Sequence, residues 1–209
     1  MAPIHSFLLA LGSLASIGAA WYPDQTPYAN NTLITFQKQG CYDTNCGFVY
    51  HNFQPQTCAV TITRKGLNIS EAIAAKLTLV KSGLLIRNET GYPDPTFVAW
   101  DEGPDSNADG PLQCGTAVVN ETVSGESLCI SAPDNHNYHG FSYWRPGQDK
   151  TKRSDIPECT GEQYPDGVML NGKMYNIEGI PDDDKLTLLS LVLNGGGKVS
   201  VELDVYLID

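Results

Sequence analysis

The acidic stretch WDEGPDSNADG holds the clearest spacing of cation ligands in the sequence. Asp105, Asn107 and Asp109 alternate along it, and a glycine follows them. A hard cation such as Ca²⁺ prefers several oxygen ligands, and glycine permits the sharp turn that directs them inward. Thr116 occupies the position at which an EF-hand has its bidentate glutamate. The spacing therefore predicts either a non-helical calcium loop or a polar turn whose side chains bond their own backbone.

Other carboxylates near this stretch have two interpretations. Asp101 and Glu102 are candidates to complete a calcium site, and together with Asp166 they are candidates for a carboxylate pair that hydrolyses glycosides. Such a pair needs only two carboxyl groups a few ångströms apart, so no sequence spacing distinguishes it. The adjacent acidic residues 182–184 are predicted to form a solvated turn, because like charges repel and stay in water.

The segment from residue 135 to residue 145 concentrates two histidines, four aromatic residues and an arginine. Aromatic rings stack on sugars or bases, while imidazole and amide groups form hydrogen bonds. We therefore expect His136, Tyr138, His139 and Arg145 to form a binding surface. The alternative is that the aromatic residues belong to a strand and the core, with the histidines in a turn.

Within that segment, residues 137–141 read Asn-Tyr-His-Gly-Phe. These five residues resemble the Asn-Tyr-x-Gly-Phe base-recognition loop of the small secreted guanyl-specific fungal ribonucleases. The resemblance implies recognition of a guanine base. In that family a catalytic Glu, an Arg and a His follow the loop, whereas this chain has no His after Phe141. The catalytic residues of the family are therefore not matched, and the chain is not assigned to it.

Cysteine usage and the start of the chain indicate the compartment. Residues 1–20 have a short polar start, an apolar stretch and small residues at the end, which is typical of a signal peptide. An even number of cysteines after such a segment predicts disulfide bonds. We expect two local pairs, Cys41 with Cys46 or Cys58, and Cys114 with Cys129. The six cysteines are Cys41, Cys46, Cys58, Cys114, Cys129 and Cys159.

Four Asn-x-Ser/Thr sequons predict N-glycosylation, and glycans must lie at the surface. They begin at Asn30, Asn68, Asn88 and Asn120. Asn68 is also placed to cap a helix near residues 69–82, because a Ser and a Glu follow it ahead of apolar residues at helical spacing. If Asn68 caps that helix, its side-chain oxygen is occupied.

The remaining pattern predicts a mainly β chain. Short apolar runs at 32–37, 47–53, 59–63, 97–100, 116–119 and 141–144 alternate with turn residues. Residues 168–170 and 173–177 flank Asn171-Gly172, a strong hairpin signal. Residues 186–193 and 199–207 are predicted to form a second hairpin, because the latter alternate apolar and polar side chains. We expect one domain over residues 21–209, an antiparallel sandwich or barrel.

Charge and composition narrow the function. The chain has 24 acidic and 13 basic side chains, net −11, which argues against nucleic acid and anionic membranes as partners. We expect a secreted glycoprotein that binds carbohydrate or an extracellular protein without catalysis, such as a host-facing factor of a fungus. The alternative is a small secreted hydrolase of polysaccharide or RNA that uses carboxylates or histidines for acid–base chemistry. No cofactor is expected apart from the candidate calcium.

Overall fold

The computed structural model of the protein describes residues 31–41, 46–60, 80–88, 91–101, 114, 116–134, 136–138, 140–146, 159 and 161–208. The predicted signal peptide lies outside these residues, and so does the predicted helix at 69–82 up to residue 79. At its far end, Val80 forms an isolated bridge with Tyr138, and Ser82 begins a strand. No helix in the described part of the chain is long and apolar enough to span a membrane.

Strands dominate the described residues, as the sequence predicts. The runs expected at 32–37, 47–53, 97–100, 116–119 and 141–144 are strands, and so are both arms of the Asn171-Gly172 hairpin. The strands are β1 (Asn31–Phe36), β2 (Cys46–Phe53), β3 (Thr57–Val60), β4 (Ser82–Ile86), β5 (Thr96–Asp101), β6 (Thr116–Thr122), β7 (Ser127–Ser131), β8 (Gly140–Trp144), β9 (Gly161–Gln163), β10 (Gly167–Leu170), β11 (Lys173–Asn176) and β12 (Leu207–Ile208).

Two sheets form a sandwich rather than a closed barrel. Sheet A has the order β12-β11-β10-β2-β1-β4-β7, and sheet B has the order β6-β5-β8-β3-β9. All neighbouring strands are antiparallel except β3 and β9, which are parallel. Alternate side chains of both sheets, such as Leu33, Tyr50, Phe97 and Phe141, are buried in one shared core. Burial of this apolar area is the main favourable contribution to folding.

On each sheet, the side chains that point away from the shared core form a smaller apolar cluster. Each of these two clusters contains a disulfide. Cys41–Cys129 lies on sheet A and Cys58–Cys114 lies on sheet B. Both predicted local pairings are therefore wrong. The error arises because β4 pairs with both β1 and β7, so Cys41 after β1 meets Cys129 in β7 although 88 residues separate them. Cys46 and Cys159 are free thiols.

The prediction of a second hairpin is also wrong, because its first arm is not a strand. Residues Asp182–Leu193 form a helix, α1, whose Leu188, Leu189 and Val192 pack into the shared core. Its leucines are good helix formers, and the three aspartates occupy its first turn, where negative charge is favourable beside unpaired backbone N–H groups. The acidic residues predicted as a solvated turn therefore begin a helix.

Because α1 removes the partner strand, the alternating segment that follows it does not form a long strand. Residues Val201–Tyr206 form a 3-10 helix, and only Leu207–Ile208 pair with β11. Leu203 is buried, whereas Val201 and Val205 are 80% and 76% exposed. Of these three alternating apolar residues, only Leu203 is buried. The alternation of apolar and polar residues therefore does not define a strand in this segment.

Candidate functional site

The predicted calcium ligands Asp105, Asn107 and Asp109 lie outside the described residues, as does Glu102. Asp101, the last residue of β5, is the only carboxylate of that stretch that is described. Calcium binding by this stretch therefore remains a prediction.

Asp101 contacts one of the predicted binding residues. The Nε2 atom of His136 lies 3.4 Å from Oδ2 of Asp101, and both side chains are a little over one third exposed. The backbone N–H of His136 donates to the carbonyl oxygen of Pro133, and its ring packs edge-on against Tyr138 at 5.7 Å. Asp101 of the acidic stretch and His136 of the histidine segment thus form one partly exposed polar pair.

Tyr138 itself is buried, with only 1% of its surface exposed. Its hydroxyl donates to the carbonyl oxygen of Ser131, and its ring contacts Phe141 at 5.5 Å. Burial, together with the charges of Glu121 and Asp101, raises the pKa of Tyr138. The side chain of Tyr138 is therefore part of the core and is not available to a partner. His139 lies outside the described residues.

Arg145 lies at the other end of the sandwich, because the five-residue strand β8 separates it from Tyr138. At roughly 3.3 Å per strand residue, the two positions are on the order of 20 Å apart. The Arg145 guanidinium stacks over the ring of Tyr92 at 4.6 Å, and Arg87 bonds Asp94 and the Tyr92 carbonyl. The described members of the predicted set, His136, Tyr138 and Arg145, therefore do not form one surface.

The segment that resembles the ribonuclease loop is arranged around the core. Tyr138 and Phe141 are buried, and the remaining aromatic residues of β8, Tyr143 and Trp144, are buried as well. The alternative stated for this segment, a strand with its core neighbours, describes these aromatic residues correctly. A base-stacking role for them is not supported.

A second histidine–aspartate pair has closer geometry. The Nδ1 atom of His51, in β2, lies 2.8 Å from Oδ1 of Asp166, just before β10. The backbone N–H of His51 also donates to both oxygens of that carboxylate, at 2.9 and 3.1 Å. The two side chains are 30% and 24% exposed. Asp166 therefore fixes both the backbone and the ring of His51.

Three neighbours, Gly167, Gln163 and Val49, position this pair. A side chain at Gly167 would place its Cβ only 2.9 Å from Cε1 of His51, so glycine leaves the space that the ring occupies. The side-chain amide of Gln163, in β9, donates to the His51 carbonyl oxygen at 2.7 Å. The backbone N–H of Asp166 donates to the carbonyl oxygen of Val49. Strands of both sheets thus hold the pair.

The arrangement makes His51 a candidate acid–base group. The hydrogen bond that the His51 ring donates to Asp166 raises the pKa of His51, against the opposing effect of partial burial. An ionised carboxylate only accepts hydrogen bonds, so a neutral His51 has its proton on Nδ1 and a free lone pair on Nε2. The pair can therefore accept or donate a proton at Nε2.

Two of the four sequons have their asparagine in the described residues, and both asparagines are exposed. Asn88 follows β4, and its amide donates to the hydroxyl of Thr32, the third residue of the Asn30 sequon. Asn120 lies in β6, an edge strand of sheet B. Asn30 and Asn68 lie outside the described residues.

His136 and Asn88 lie at opposite ends of the sandwich. The His136 end is where β5 stops at Asp101 and β7 stops at Ser131. The Asn88 end is where β4 stops at Ile86 and β7 begins. The antiparallel pairs Ser82 with Ser131 and Ile86 with Ser127 show that these ends are opposite.

Comparisons with family models, with curated proteins and with solved structures find no match to this chain.

Proposed function

We propose that this protein is a secreted glycoprotein that binds an extracellular carbohydrate, or a protein, through the His136 end without catalysing a reaction. The observation that carries the proposal is the distribution of groups between the two ends. Asn88 and the Thr32 of a second sequon lie at one end, whereas Asp101 and His136 lie at the other. Glycans on Asn88 would lie away from Asp101 and His136.

The His136 end offers polar groups that are held in place. The side-chain amide of Gln39 donates to the carbonyl oxygen of Ala132 at 2.8 Å and to Oδ1 of Asp134 at 3.1 Å. These bonds fix the segment that leads to His136, and prior ordering lowers the entropy cost of binding. Carboxylate, amide and imidazole groups match the hydroxyl groups of a sugar, which is why carbohydrate is the preferred ligand class.

The experiment is a binding screen of the purified mature protein on an array of cell-wall oligosaccharides. Asp101→Asn and His136→Ala should each weaken binding at least tenfold while retaining the melting temperature. Glu126→Gln is the matched control, because it removes one exposed carboxylate charge at the Asn88 end. Unchanged binding by both His136-end variants would contradict the proposal.

Glycosylation supplies an independent check of the same proposal. Protein secreted from a eukaryotic host should carry glycans on Asn88 and Asn120, because both asparagines are exposed. Peptide mapping before and after enzymatic deglycosylation measures the occupancy. Unmodified Asn88 would remove the argument that the Asn88 end is covered.

A second candidate function is hydrolysis of polysaccharide or RNA, and the His51–Asp166 geometry favours it. A panel of such substrates should then show turnover that falls at least a hundredfold in His51→Ala and Asp166→Asn, since general acid–base catalysis contributes about 10²–10⁴ in rate. His136→Ala is the control at the other histidine–aspartate pair. Absence of any turnover in the wild-type protein would leave the binding proposal alone.

A further inference from the structure

Cys159 is a free thiol beside a disulfide. The Sγ atoms of Cys58, Cys114 and Cys159 all lie within 4.8 Å of one another, and Cys58 and Cys114 are bonded. The Sγ atom of Cys159 is therefore a near neighbour of both sulfur atoms of the disulfide. The three residues belong to the apolar cluster on the outer face of sheet B.

The surroundings of Cys159 keep its thiol protonated. Burial raises its pKa to about 11, although hydrogen bonds from the Ser142 side chain and the Cys114 backbone oppose that shift. The Ser142 hydroxyl also accepts a hydrogen bond from the indole N–H of Trp100 at 2.7 Å. Since the thiolate is the nucleophile, exchange at Cys159 is slow near neutral pH and faster in alkali.

We infer that Cys159 exchanges with the neighbouring disulfide, forming Cys58–Cys159 and releasing Cys114 as a thiol. The Cys159 thiol first loses its proton to solvent. Its thiolate then attacks Sγ of Cys58, the bond to Cys114 breaks, and the Cys114 thiolate takes a proton from solvent. One thiol and one disulfide remain, so the step needs no oxidant or reductant.

Cys58 is the shared partner because strand pairing already holds its segment beside that of Cys159. Cys58 lies in β3, which pairs in parallel with β9, and Thr57 is in register with Gly161. Cys159 precedes Gly161 by two residues. The new bond would therefore join two neighbouring segments of sheet B, with little change in the β3–β9 ladder.

The exchange changes which part of the chain is covalently linked. The dibasic pair Lys152-Arg153, of the kind that secretory-pathway proteases cut, lies between Cys114 and Cys159 in the sequence. With Cys58–Cys114, a chain cut after Arg153 has no disulfide to its C-terminal piece. With Cys58–Cys159, the two pieces stay joined. The exchange thus decides whether a cleaved chain separates on unfolding.

The experiment uses a Cys46→Ser background, in which Cys159 is the remaining free thiol. The protein is incubated at pH 7 and pH 9, quenched in acid, alkylated at low pH, and digested for disulfide mapping. We expect Cys58–Cys159 peptides to appear about 100-fold faster at pH 9, because the thiolate fraction rises about tenfold per pH unit below the pKa. The thiol count should stay at one per chain.

Cys46→Ser/Cys159→Ser is the matched control, and it should keep only Cys58–Cys114. Retention of Cys58–Cys114 alone in the test protein at both pH values, or linkage of Cys159 to another cysteine, would overturn the inference. Circular dichroism at pH 9 should show the folded protein, so that exchange is not a product of unfolding.

Cys114→Ser tests the same pairing without alkali. Secreted through an oxidising pathway, it should contain Cys58–Cys159 and run as one band on a denaturing, non-reducing gel after cleavage at Lys152-Arg153. The Cys159→Ser protein, cleaved in the same way, should give two bands. Two alkylated thiols at Cys58 and Cys159 in the Cys114→Ser protein would overturn the inference.

Discussion

At the residue scale, the carboxylate of Asp166 both orients His51 and stabilises its charged form. It accepts the ring N–H and the backbone N–H of the same residue, so the ring has little freedom to turn. The result is an imidazole whose Nδ1 is bound to Asp166 and whose Nε2 has no hydrogen-bond partner among the described residues. A proton-transfer group needs such a fixed ring with one nitrogen that can exchange a proton. The interaction with Asp166 can be measured through the pKa of His51.

The first prediction concerns the titration of His51. Asp166→Asn keeps the shape and an acceptor oxygen but removes the negative charge. The pKa of His51, measured by NMR of its imidazole, should therefore fall from above its ordinary value of 6.5 toward or below that value. An unchanged pKa at His51 would mean that the two side chains do not interact in solution.

The second prediction concerns stability and pH. A group whose pKa is raised on folding stabilises the folded state below its unfolded pKa, and this contribution is lost as the pH rises through the folded pKa. For His51 the contribution is therefore complete well below pH 6.5 and declines above it. The difference in unfolding free energy between wild type and Asp166→Asn, measured by denaturant at pH 5.5 and pH 8.5, should be larger at pH 5.5. A difference that grows with pH would contradict the assignment.

The two histidine–aspartate pairs differ in how much of each could be predicted from the sequence. Asp101 and His136 were each candidates, but in separate motifs, and their contact depends on how β5 and the segment after β7 meet at one end. Asp166 was one carboxylate among many, and His51 carried no signal at all. A separation of 115 residues between partners has no periodicity to detect, so this pair requires the fold.

At the element scale, α1 closes part of the shared core between the sheets. Its buried face contacts β2, which contains His51, and β10, which begins directly after Asp166. The segment was misassigned because its run of leucine and valine satisfies the criteria for a buried strand and a buried helix equally. The Asn171-Gly172 hairpin was predictable, because both residues adopt the positive φ that its turn requires, 53° and 75°.

The third prediction tests that role of α1. Leu188 is fully buried, so Leu188→Ala should lower the free energy of unfolding by about 2–5 kcal/mol, measured by denaturant titration. Val205→Ala is the control, because Val205 is 76% exposed and its change should stay within about 0.5 kcal/mol. Equal effects of the two substitutions would show that α1 does not pack into the core.

At the scale of the whole molecule, each disulfide lies on the outer face of a sheet rather than between the sheets. Cys41–Cys129 ties the segment after β1 to β7 across β4, and that segment is further held by bonds from Gly40 to Ser131 and from Ser82 to Lys38. The His136 end follows directly from β7. Fixing β7 therefore also fixes the part of the chain that we propose binds a partner. The topology that brings these cysteines together is set by strand order, which local sequence does not encode.

The fourth prediction follows from the length of chain that this disulfide closes. A cross-link over 88 residues restricts the unfolded chain strongly, so Cys41→Ala/Cys129→Ala should lower the free energy of unfolding by about 2–5 kcal/mol. Cys46→Ala, which removes a partly buried free thiol, controls for the loss of a sulfur atom from an apolar cluster. Guanidinium unfolding without reductant compares the three proteins. If the double variant is no less stable than Cys46→Ala, the cross-link is absent from the purified protein. Hydrogen bonds such as those of Gln39, Gly40 and Ser82 would then order the His136 end without the cross-link.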